Sequence, residues 1–130
     1  VRRNPEATCW SNFKHYFVTK GLGYSYSLSD TVKYYKLYTD LMHFWYRSYH
    51  DRIYKLDYEK LTEDHELEIR CLIKYLELNW EVSCLAPQEN NRSVKTASQQ
   101  QVRHKIYKGS SQAWRKYEPF LDGIFDELGS

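Results

Sequence analysis

Acidic side chains are missing from a long stretch of this chain: between Asn90 and Tyr117 there is no aspartate or glutamate. That stretch carries Arg92, Lys95, Arg103, His104, Lys105, Lys108, Arg115 and Lys116. Glycine is scarce as well, with five in 130 residues and none before Gly21. No Gly-x-x-x-x-Gly-Lys run exists, so these residues hold no phosphate loop of that type. The three cysteines, Cys9, Cys71 and Cys84, are widely spaced and odd in number. That argues against a disulfide framework and points to a reducing, cytoplasmic setting. The cysteines and the five histidines lack close metal-ligand spacing, so no metal site is expected. No apolar run approaches the roughly 18 residues of a membrane span. No signal-peptide pattern opens the chain.

What is present is apolar and aromatic. The apolar share is 42% and the aromatic share 17%, with thirteen tyrosines and four tryptophans. The length suits one domain. Much of its core must be amphipathic rings whose polar ends need partners. The net charge of +2 hides an uneven distribution. The first residues carry Arg2, Arg3, Lys14 and Lys20 against a single Glu6, and most acids fall between Asp30 and Glu89. Two basic ends that met in space would form an anion site; a solvated basic face is the alternative.

Asn4-Pro5-Glu6 reads as a helix start: Asn caps, Pro suits the first helical position, and Glu favours the positive end of the dipole. That helix is expected to run to about Thr19 and stop at Lys20-Gly21-Leu22-Gly23. Asn4, Thr8, Ser11 and His15 share one face of it. Ser29-Asp30 is expected to cap a second helix to about Tyr49, with Tyr34, Leu37, Tyr38, Leu41, Phe44 and Trp45 as its buried stripe. The alternating run from Arg52 to Tyr58 reads as one β-strand. A third helix is expected from about Asp64 to Leu78, with Leu67, Cys71, Leu72, Tyr75 and Leu76 on its apolar stripe. A short helix near Val82 to Ala86 precedes Pro87, and a capping pattern opens another at Ser98. A turn or two near Gly109 to Tyr117 and a last helix from Pro119 through Leu128 complete the order.

One strand cannot make a sheet. Val1-Arg2-Arg3 reads as the last step of another strand. The expected fold is therefore mostly α with one or two short strands, the C-terminal fragment of a larger α/β domain.

Arg3 offers a planar fork of donors beside a helix N-terminus, and Ser11 lies two turns along on the capping face. Together they could grip a phosphate monoester. An arginine at a strand end beside an unrelated surface serine is the bland alternative.

The segment RNPEATCWSNF resembles the 3′-phosphate-binding motif of the sulfotransferases that use 3′-phosphoadenosine 5′-phosphosulfate (PAPS), in which a serine follows a strand-closing arginine by eight residues. YSYSLSDTVKYYKLYTDLMHFW is similar to the segment that follows in the bacterial group often fused to tetratricopeptide repeats. LDYEKL resembles that family's Tyr-Glu-Asp-Leu signature, and ENNRSVKTASQQQVRHKIYKGSSQAWRKYEPFL resembles its Arg-Thr-Ala-Ser, Gln-Val-Arg and Trp-Arg-x-Tyr-Glu-Pro run. The resemblance covers essentially the whole chain and implies a three-layer α/β, P-loop-like parent fold.

It also implies roles. Arg3 and Ser11 would hold the 3′-phosphate, and Tyr58 would lie against the adenine. Thr96, Ser98 and the Lys108-Gly109 loop would complete the nucleotide anchor, with Arg103 and Lys108 as its bases. Tyr107 stands where the wider motif has arginine, and Gln112-Ala113 and His104-Lys105 also depart from it. Each residue keeps a plainer alternative: Tyr58 as packing, Thr96 as loop, Ser98 as a helix cap. The implied cofactor is PAPS or its product PAP, and the implied partner is a hydroxyl or amine sulfate acceptor of unknown class. The family's phosphosulfate loop, catalytic base and most acceptor contacts lie further upstream. Residues 1–130 are thus expected to form a partial domain, inactive alone, whose uncovered surface drives self-association or domain swapping. Two other classes compete. One is a basic aromatic module that stacks and tracks nucleic acid. The other is a helical interaction protein without a ligand.

Overall fold

The computed structural model describes residues 1–18, 20–90 and 106–129. The helix expected at Ser98 lies outside them. The described chain is mostly helical and divides into two compact units: Val1–Arg2 with Tyr54–Lys108, and Arg3–Ile53 with Gly109–Ser130.

The unit that begins at Arg3 is built on two helices. Helix α1 spans Pro5–Phe13. Asn4 caps it: its Oδ1 accepts from the Ala7 N–H at 2.8 Å, and Pro5 fills the first position. The helix ends six residues before the expected Thr19. Tyr16, Phe17 and Val18 are aromatic or β-branched and give helix little support. The Phe17 carbonyl accepts from the Tyr26 hydroxyl at 2.6 Å. Helix α2 spans Leu28–Ser48 and is capped by Ser27, not Ser29: its hydroxyl accepts from the Asp30 N–H at 3.2 Å. Thr31 is fully buried, its hydroxyl donating to the carbonyls of Tyr24 and Ser27 at 3.1 and 2.9 Å.

The core of this unit is Ala7, Cys9, Val32, Trp114 and Phe125, with Trp10, Leu28, Tyr35, Leu121, Ile124 and Leu128 packed on it. Trp114 meets Phe125 edge to face, centroids 5.2 Å apart, a geometry that contributes about 1 kcal/mol beyond burial. The expected stripe of α2 is not the buried one. Tyr34, Leu37, Tyr38, Leu41, Phe44 and Trp45 are all exposed. Leu28, Val32 and Tyr35 recur at helical spacing too, and that face meets α1 and the closing 3-10 helix Ile124–Leu128. Part of the exposed stripe stacks on neighbouring rings, as Tyr34 does on Tyr24 at 4.0 Å.

The unit that holds Tyr54–Lys108 differs from expectation at its start. No strand forms at 52–58 among the described residues. Arg2 makes a single parallel bridge to Asp57, its N–H donating to the Leu56 carbonyl at 2.7 Å while the Tyr58 N–H donates to the Arg2 carbonyl at 2.8 Å. Among the described residues the pairing is limited to this one bridge, so no ladder forms. The chain turns helical at once: α3 spans Tyr58–Glu63, beginning where the strand was expected to end, and α4 spans His65–Tyr75, within the helix expected from about Asp64 to Leu78. Asp57 and Asp64 cap them by accepting from Lys60 and Leu67 N–H groups. Leu67, Cys71, Tyr75 and Leu76 of the expected α4 stripe are exposed, and Leu72 is half-buried. Arg70 is held by Glu66 through two bonds of 2.9 and 2.7 Å and lies 3.9 Å over the Trp80 ring. No helix among the described residues is long and apolar enough to cross a membrane.

Helix α4 closes in a Schellman motif. The Leu78 N–H reaches the Ile73 carbonyl at 3.1 Å, and Glu77 takes the left-handed position at φ 55° that glycine prefers. Glu77→Gly is therefore expected to raise stability by about 0.5–1 kcal/mol, read as a higher urea midpoint at unchanged slope.

Burial, and secondarily the nearby Glu6 carboxylate, push the Cys9 thiol up from 9.0 to about 12. Thiol reagents at pH 8 are expected to label exposed Cys71 readily, and Cys9 only after unfolding. Because the folded value is the higher one, Cys9 supports the fold below pH 9.0 and loses that support as pH climbs toward about 12. Cys9→Ala should flatten the alkaline limb of stability against pH.

Candidate functional site

Arg3 leaves the extended start of the chain immediately before the Asn4 cap, so its side chain emerges at the positive end of α1. It meets the residues that follow Gly109. Arg3 Nε donates to the Ser111 hydroxyl at 3.2 Å, and a terminal nitrogen reaches the Ser110 hydroxyl at 3.5 Å. Gly109 makes this turn feasible. It holds φ 87°, a conformation that a side chain at that position would strain, although a Cβ there would meet nothing within 4 Å. The 3-10 turn Ser110–Gln112 then buries Ser111 against α1.

The donors in this cluster are well suited to an anion. A serine hydroxyl that accepts from a guanidinium keeps its own O–H to donate elsewhere. Ser110 and Ser111 thus set two hydroxyls beside the Arg3 guanidinium at the positive end of α1. Thr8 returns its hydroxyl to the Asn4 carbonyl at 2.9 Å, so it stiffens the cap without adding a donor. Ser11 is half-buried on α1, two turns from the cap. Glu6 points the other way in charge. One of its carboxylate oxygens is buried without a hydrogen-bond partner among the described residues, and its charge is felt at Cys9.

The remaining expected residues divide by location. Tyr58 is half-buried at the first position of α3, its N–H on the Arg2 carbonyl at 2.8 Å. Lys108 is exposed and precedes Gly109. Thr96, Ser98 and Arg103 lie outside the described residues. Ser110 and Ser111 escaped the sequence reading. The signal for them was two hydroxyls directly after the one glycine of the basic stretch. Trp114 sits in the core.

A sulfotransferase family model matches residues 1–82, and the chain belongs to that family. The matched span contains Arg3, Ser11 and Tyr58 but stops short of Gly109. Beyond the family, the chain is similar over 98% of its length, at 35% identity, to an uncharacterized protein of Aquifex aeolicus (strain VF5), of which it spans 17%. No solved structure matches it.

Asp57 joins the start of the chain to α3. Arg2 donates to its carboxylate at 2.9 Å, and this bond, aided by the Lys60 N–H, holds the carboxyl below its ordinary value. A lowered folded value means the contribution is full at neutral pH and is lost as pH falls below about 4. Arg2 is largely exposed, so the pair itself contributes only about 0.2–1 kcal/mol. Asp57→Ala removes the cap as well and should cost about 1–2 kcal/mol at pH 7. Asp57→Asn keeps the cap and should cost less. Urea unfolding at pH 7 and pH 3 checks both; the wild-type advantage over Asp57→Asn should shrink at pH 3.

Proposed function

We propose that this chain anchors the 3′-phosphoadenosine end of PAPS in a sulfotransferase with a P-loop-like α/β fold. The donor would supply a sulfuryl group for transfer to a hydroxyl or amine acceptor. Residues 1–130 would be one part of that domain. The observation that carries the reading is the Arg3 guanidinium at the α1 N-terminus, joined to the hydroxyls that follow Gly109, in a chain of the sulfotransferase family.

The donor set fits a phosphate monoester. Arg3 supplies a fixed charge in fork geometry, Ser110 and Ser111 place hydroxyls beside it, and the α1 terminus supplies a favourable dipole. Ser11 adds a hydroxyl on the capping face of the same helix. Tyr58 supplies an aromatic face for the adenine. Thr96, Ser98, Arg103 and Lys108 complete the anchor in this reading. Binding energy gathered at the nucleoside end would orient the donor far from the reacting sulfur, which is how remote contacts raise rate as well as affinity.

Titration with PAP and with AMP separates the 3′-phosphate from the rest of the nucleotide. The chain should prefer PAP, and Arg3→Ala should remove about 10- to 100-fold of that preference, the range of a lost charge-assisted contact. Ser111→Ala should act in the same direction more weakly. Equal binding of PAP and AMP by the wild-type chain, or an undiminished preference in Arg3→Ala, would refute the reading.

A further inference from the structure

The unit that begins at Arg3 has an open hollow of about 680 Å³ that shares none of the Arg3 cluster. Trp10 and Phe13 of α1 form one wall, and Tyr117 and Phe120 of the 3-10 helix Arg115–Phe120 form another. Trp10 lies 4.7 Å from Tyr117 and 5.8 Å from Phe13, centroid to centroid, so three rings make a continuous aromatic surface. Phe120 is 79% exposed, far more than packing requires of so large an apolar ring. Two carboxylates complete the lining, Asp122 and Glu127.

Charge selects the occupant. Asp122 is exposed, and no cation pairs with it among the described residues. Among the described residues, Glu127 has one loose partner, the Lys36 ammonium at 3.7 Å. Asp122 and Gly123 take left-handed conformations in succession, φ 45° and 69°, and both line the hollow. The Asp122 carboxylate disfavours an anion here, and a neutral apolar molecule would leave it without a counter-charge. A cation with an apolar body satisfies both surfaces, because aromatic faces attract ammonium and guanidinium groups. One ring already shows the behaviour: the Lys116 ammonium lies 4.9 Å from the Tyr117 centroid.

We propose that this hollow is a binding site for a small organic cation, an ammonium with methyl or methylene groups attached. It would rest on Trp10, Phe13 and Tyr117, with Asp122 as its counter-ion. The site does not rest on the sulfuryl-transfer reading, since none of its residues belongs to the proposed nucleotide anchor.

Choline and its neutral isostere 3,3-dimethylbutan-1-ol are the probes, titrated against the full chain and followed by ligand-observed NMR and tryptophan fluorescence. Choline should bind saturably in the millimolar range and at least about fivefold more tightly than the isostere. Asp122→Asn removes the charge, and asparagine tolerates the left-handed backbone, so the variant should keep the fold. It should weaken choline about 3- to 10-fold and leave the isostere and PAP unchanged. Tyr117→Leu should weaken choline while keeping an apolar wall. The proposal is overturned by equal binding of the two probes, by absence of saturable choline binding up to about 10 mM, or by an Asp122→Asn variant that binds choline as tightly as wild type.

Discussion

A single guanidinium ties the first residues of this chain to its last segment. Arg3 reaches the Ser111 hydroxyl across a sequence separation of 108, and the aromatic core lies next to it, with Trp114 and Phe125 packed on Ala7 and Cys9. A hydrogen bond to a charged group contributes only about 1.5–3 kcal/mol, less than the burial of the two rings. Its value is positional. It sets Ser110 and Ser111 against the capped end of α1. Gly109 serves the same end from the other side, because only a left-handed residue lets the chain turn there and deliver both hydroxyls.

The same helix serves two chemistries. The start of α1 gathers positive potential through Arg3 and the helix dipole. Further along, Trp10 and Phe13 open onto an aromatic hollow whose charged groups include Asp122 and Glu127. A chain with a net charge of only +2 thus separates its charges locally, a basic corner at one place and acidic groups at another. Glu6 belongs to neither. Its buried oxygen and the protonated Cys9 thiol mark the inner side of the helix, where charge is costly.

The candidate site was partly legible from residue types. Arg3, the Asn4 cap and Ser11 follow from short-range rules, and the Lys108-Gly109 loop was marked as a phosphate-binding candidate by family motif. The two serines were not, because their importance depends on a partner more than a hundred positions away. The family resemblance drawn from the Arg3 motif and the Tyr58 segment agrees with the family match over residues 1–82. The strand expected at 52–58 failed for an instructive reason. Its residues have the right alternation, but alternation only prepares a strand, and a ladder forms only where a neighbour of sufficient length lies alongside. Among the described residues Arg2 is the one that bridges to this segment, and Asp57 starts a helix instead.

What the residues determined unaided were the features with a reach of about four positions: the cap at Asn4, the proline at the first turn, a helix start near Asp64, and helical periodicity. Such interactions are complete within one turn, so composition suffices to specify them. Which stripe of α2 is buried was decided only by packing. Leu28, Val32 and Tyr35 were chosen over the more apolar run from Tyr34 to Trp45 because α1 and the closing 3-10 helix lie opposite them. The meeting of Arg3 with Ser111 was decided the same way. Burial and long-range pairing depend on what stands across the interface, and no local window of sequence contains that information.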